Sequence, residues 1–94
     1  MALFRWRRKR VASDLVEHYA QDVDESRPLG YQVLGLLEAD QLRNGLWRWT
    51  AGRFVIGGAV EITGQAGLLR DAKAAAEAAY PIAVEAAVKL EAQS

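Results

Sequence analysis

Apolar positions along the chain fall into three regimes. Val11, Leu15, Tyr19 and Val23 recur every fourth residue with acids between them, a spacing that predicts an amphipathic helix. Ser13 or Asp14 is placed to cap its start, and Pro28 ends it by Arg27, because proline disfavours the α region at the residue before it. From Gly30 to Thr63 the pattern becomes extended. Residues 31–39, YQVLGLLEA, read as a buried strand that Gly35 weakens or bulges. Asn44-Gly45 is a strong hairpin signal, since both residues tolerate positive φ. Residues 46–50 alternate as a strand, and Ala51-Gly52 reads as a second, two-residue turn before Arg53-Phe54-Val55-Ile56. That register sets Thr50 opposite Arg53, Trp49 opposite Phe54 and Trp47 opposite Ile56. Aromatic and apolar residues then share one face with Val60 and Ile62, and Arg48, Thr50, Arg53, Val55 and Glu61 take the other.

Residues 65–93 are helical by propensity, holding eleven of the seventeen alanines. Leu69, Ala72, Ala76 and Ala79 form a small-residue stripe suited to close packing on a sheet, and Pro81 is expected to kink or split the helix. Beyond it Ile82, Val84, Val88 and Leu90 make a separate apolar surface. The expected fold class is α+β: a small two-layer sandwich of α-β-β-β-α order, with a three-stranded antiparallel meander and both helices on one face. The other face is expected to be mixed and solvent-facing.

Length limits the chain to one domain, residues 11–94, preceded by an arm at residues 1–10. The formal net charge is +0, but the charges are segregated. The arm MALFRWRRKR carries Arg5, Arg7, Arg8, Lys9 and Arg10 and no acid, leaving seven basic and twelve acidic residues on the remainder. Such asymmetry marks an interaction arm on a mildly acidic body. The arm lacks the apolar stretch and cleavage site of a secretory signal, and Ala2 and the absence of cysteine exclude the common lipidation signals. No apolar run has the length of a membrane-spanning helix. A cytoplasmic location is expected. Ala, Gly, Arg and Pro outnumber Phe, Tyr, Ile, Asn and Lys by 36 to 12, a codon bias pointing to a high-GC bacterium or its phage.

Several chemistries are excluded. Without cysteine there is no disulfide, thiolate metal site or cysteine nucleophile. Asp14, His18 and Asp22 would share a helix face, but His18 is the only histidine and no metal site is expected. Thr63-Gly64-Gln65-Ala66-Gly67 joins a strand to a helix without the lysine of a phosphate-binding loop. Ser13, Ser26 and Ser94 lack a nucleophile's context. The expectation is therefore no enzyme, no cofactor and no small-molecule substrate.

The arm Phe4-Arg5-Trp6-Arg7-Arg8-Lys9-Arg10 is the candidate partner-binding element. Its mix of aromatic and basic residues suits three surfaces. The first is a groove on a protein, with Trp6 and Arg7 as anchors, or a second copy of the chain. The second is nucleic acid, with Trp6 stacking on a base and Arg48 and Arg53 assisting from the open sheet face. The third is an anionic membrane entered by Leu3, Phe4 and Trp6, which a single anchor supports least. A non-enzymatic protein-interaction or assembly module is the leading expectation.

The α-β-β-β-α order and the run Ala72-Lys73-Ala74-Ala75-Ala76-Glu77-Ala78-Ala79 resemble the double-stranded-RNA-binding domain and its alanine-rich last helix, over residues ~12–80. That family spans phosphates with a lysine cluster at the start of that helix. Here the corresponding stretch, Gly67 to Lys73, has two basic residues and one acid. Hairpins followed by an alanine-rich helix are also similar to many small phage accessory proteins.

Overall fold

Five strands and one helix follow in chain order in the computed structural model, which describes residues 4–12 and 15–93: β1 (Arg7–Ala12), β2 (Leu15–Val23), β3 (Val33–Gln41), β4 (Trp47–Val55), β5 (Gly58–Ala66) and α1 (Leu69–Ala92). The strands form one antiparallel sheet whose spatial order equals their sequence order. Helix α1 lies over β3, β4 and β5 on one face.

The expected first helix is absent, and with it the α-β-β-β-α order, the three-stranded meander and the likeness to the double-stranded-RNA-binding domain. Residues 7–23 are instead the hairpin β1–β2. The physical reason lies in the spacing: a repeat of four is also two strand repeats, so Val11, Tyr19 and Val23 share strand parity as readily as a helix stripe. Ser13 and Asp14, expected as caps, lie outside the described residues.

The second hairpin is also displaced from its expected position. Ala51 and Gly52 are mid-strand, paired with Leu37 and Leu36 on one side and with Ile62 and Glu61 on the other. The chain reverses at Ile56-Gly57, where Gly57 has φ +85° and Val55 pairs with Gly58. Ala51 is small because α1 packs directly on it, not because the chain turns there. The Asn44-Gly45 turn is where the sequence puts it: Gly45 (φ +89°) donates its N–H to the Leu42 carbonyl, and Leu46 donates to Asn44 Oδ1. Thr63 to Ala66 belong to β5, which leaves only Gly67 and Leu68 between that strand and α1.

Helix α1 runs as 24 residues through Pro81 and is not split. Ala72, Ala76 and Ala79 before the proline, and Ala83 and Ala87 after it, are all buried, so both halves pack inward on either side of it. Proline occupies the outward face, where its ring meets solvent. The core is built from Ala20, Leu37, Ala51, Ala76, Ala79 and Tyr80, edged by Phe4, Trp6, Trp49, Ile62 and Val84. Small side chains bring the helix close to the sheet, and two glycines complete the fit. A methyl group on Gly64 would stand 2.5 Å from the Trp49 ring, and one on Gly35 would collide with the Tyr80 hydroxyl.

Candidate functional site

Register assigns every strand residue to a face. Opposite α1, the open face carries Arg7 and Lys9 from β1, Glu17, Tyr19 and Gln21 from β2, Leu34, Leu36, Glu38 and Asp40 from β3, Arg48, Thr50 and Phe54 from β4, and Glu61, Thr63 and Gln65 from β5. Arg8 and Arg10 point to the helix side, opposite His18 and Val16.

The arm is therefore a strand with a packed root. Phe4 stands edge-on to Tyr80 with ring centroids 5.3 Å apart. Trp6 donates its indole N–H to Glu77 Oε2 at 3.4 Å, and Lys73 Nζ lies 5.5 Å from the centroid of its ring. Both aromatics are half-buried, so much of their surface is spent on α1 and the core beside it. Arg5 is exposed between them, and all six residues of β1 are exposed at the outer edge of the sheet. Arg7, Arg8 and Lys9 close no ion pair with a described acid.

The two arginines expected on the open face separate. Arg48 is there, 56% exposed, 3.8 Å from Asp40 in a loose surface pair. Arg53 is on the helix side, not the open face, because its partner across β3 is Gly35 rather than a residue beyond a turn at Ala51-Gly52. Its guanidinium donates to Asp22 Oδ2 and to the Tyr80 hydroxyl, both at 3.0 Å, and Tyr80 donates to Asp22 at 2.7 Å. Burial is the main cause that pushes the Tyr80 hydroxyl up to about 12, so it remains a donor at all ordinary pH. This triad ties the helix to the sheet.

Beside the basic edge lies an acidic centre that the helical reading of residues 11–27 concealed. Glu17, Glu38 and Asp40, all half-buried, bring carboxylate oxygens within 4.8 Å of one another. A hydrogen bond shared with Glu17, then burial, then the charges of Glu17, Asp40 and Glu61 push Glu38 up to about 7. Asp40 is raised too, by burial and Glu17 against the opposing pull of Arg48. Below about pH 7 Glu38 is mostly protonated, which lessens the repulsion among the clustered carboxyls. Strand parity is the signal that finds this cluster: Tyr19 opposite Glu38 sets Glu17 and Asp40 on the same face.

His18 and Asp22 lie on the helix side of β2 with Ala20 between them, and Asp14 is outside the described residues. The His18 ring meets Trp47 edge-on, centroids 5.8 Å apart, and burial followed by Lys73 and Arg8 lowers its pKa. Asp22 is held by Arg53 and Tyr80, so these residues do not gather as ligands. Among the described residues no helix is long and apolar enough to cross a membrane.

Compared with protein-family models, curated proteins and solved structures, the chain matches none.

Proposed function

We propose that this protein is a protein-interaction module whose binding element is strand β1, and that it takes an acidic, extended segment of a partner protein as a sixth strand of the sheet. The supporting observation is the edge itself: six consecutive exposed residues, RRKRVA, four of them basic, on a strand rooted by Trp6 against α1. An edge strand offers backbone groups to any extended chain, and strand addition is a recurring mode of peptide recognition. Positive charge on both faces of β1 repels a second β1 and favours acids at successive positions of an incoming strand. A continuous acidic run therefore suits it better than an alternating one.

A phosphate backbone is the other anion to weigh. It would meet Glu17, Glu38, Asp40 and Glu61 on the adjoining face, while Trp6 is engaged on α1 and Arg53 on Asp22. Those features favour the protein partner. The setting we propose is the cytoplasm of a high-GC bacterium, with a phage or accessory role.

Fluorescence titration with a labelled peptide of consecutive Asp and Glu tests this reading. Binding is expected, with Arg8→Gln/Lys9→Gln weakening it about tenfold. An acid-free peptide of equal length is expected not to bind. Stronger binding of single-stranded or duplex nucleic acid at the same salt would favour the phosphate reading, and no binding of the acidic peptide would overturn ours.

A further inference from the structure

The sheet ends in two edges of opposite character. β1 has four basic residues in six, whereas β5, GAVEITGQA, has one charge in nine, Glu61. Native sheets guard a free edge with lysine, proline, a bulge or a covering element. β5 contains no lysine or proline, and it pairs with β4 from Gly58 to Ala66 without a register shift. It is the last strand of the sheet, and no described strand lies beyond it. Its residues alternate between exposed and half-buried, so α1 covers one face of the strand and leaves its rim open. A row of outward N–H and C=O groups therefore runs along nine residues in unbroken register.

A strand that meets its own copy across a two-fold axis pairs antiparallel, and one residue faces itself. Full overlap of residues 58–66 makes that residue Ile62. Glu61 then faces Thr63 of the other copy, Val60 faces Gly64 and Ala59 faces Gln65. No like charges meet, and β-branched Ile62 packs on its equivalent. The same operation on β1, centred on Lys9, would set Lys9 against itself and Arg8 against Arg10. Helix α1 extends the surface. Glu77 and Tyr80 reach Trp6 and Asp22 on its β1 side. Ile82 stands about 140° and about 160° round the helix from them, so it flanks the β5 side. There it is 60% exposed. We propose that a second copy of this chain pairs with β5, giving a continuous ten-stranded sheet about a two-fold axis at Ile62. Both helices then lie on one face of that sheet, with the two Ile82 flanks turned toward each other over the seam. A charged partner strand finds only Glu61 to pair with, whereas the strand's own copy meets no like charge at any position. β5 is the opposite edge from β1, so this dimer leaves β1 free, and its failure would leave the reading of β1 untouched.

Sedimentation velocity over a protein concentration series tests the proposal. The wild-type chain is expected to approach twice its monomer mass. Thr63 is exposed on the open face, so changes there read the seam without entering the core. Thr63→Glu sets a carboxylate against Glu61 of the other copy at two places and is expected to weaken the dimer about fivefold. Thr63→Lys is expected to tighten it. Glu61→Lys/Thr63→Glu, which again opposes unlike charges, is expected to restore what Thr63→Glu loses. Ile82→Glu is expected to weaken the dimer about tenfold. Circular dichroism matching the wild type is expected for all of them, because each replaced side chain is exposed. A wild-type monomer throughout, or a mass that climbs past two copies, would overturn the proposal. So would equal affinities for Thr63→Glu and Thr63→Lys, or a dimer indifferent to Ile82→Glu.

Discussion

Tyr80 sets how far the helix can approach and where it stops. Its hydroxyl reaches across to Asp22 and Arg53 only because Gly35 leaves room beneath it. Glu38 works the other way, as a group the fold makes uncomfortable when charged. Its pKa of about 7 stands above the ordinary 4.5, so the folded chain holds a proton that the unfolded chain has released. Stability from this group is complete below about pH 4.5 and is lost as pH rises through about 7. Glu38→Gln should flatten the pH dependence of the urea midpoint between about pH 5 and 8, and raise the midpoint at the upper end, where Glu17, Asp40 and Glu61 no longer repel a charge. A profile as steep as the wild type's would show that the carboxyl cluster does not govern it.

Among the elements, α1 is the most instructive. Proline in a helix interior removes one hydrogen bond and crowds the preceding turn, yet here the helix runs on with buried alanines on either side. Replacing Pro81 by Ala restores a donor toward the Glu77 carbonyl, offset in part by a more flexible unfolded chain. The net expectation is a gain of about 2 kcal/mol, read from the urea midpoint at constant slope. An unchanged or lower midpoint would mean that the break serves the packing. Alanine density made this helix legible from the sequence, as glycine after asparagine did for the β3–β4 turn. The first hairpin was not legible, because Val11, Tyr19 and Val23 satisfy both periods and only pairing with β3 decides between them. Ala51-Gly52 misleads for a related reason: small residues mark turns and close helix contacts alike. The basic arm could be read from composition, whereas the acidic centre and the β5 edge needed the strand register.

For the molecule as a whole, the core is thin. Leu37 is the one large side chain among the described residues that is fully buried, while Leu29, Tyr31, Ile56, Ile82 and Val88 are each more than half exposed. Cohesion depends on alanine contacts and on the aromatics at the rim, so the edges should open first. Trp6→Ala should speed amide hydrogen exchange in β1 and β2 about tenfold and leave β4 protected. Equal acceleration in all strands would instead mean that the sheet opens as a unit. Each strand needs only its neighbour in sequence, so most pairing is local. Contacts with α1 are the exceptions, among them Trp6 with Glu77, 71 residues apart, and Tyr80 with Asp22, 58 apart. During synthesis the successive hairpins form as they leave the ribosome, but Phe4 and Trp6 have no surface to settle on until α1 has emerged. The stretch Phe4 to Trp6, made early, is thus docked last, and through most of translation the β1–β2 hairpin carries its cationic edge without its anchor on the helix.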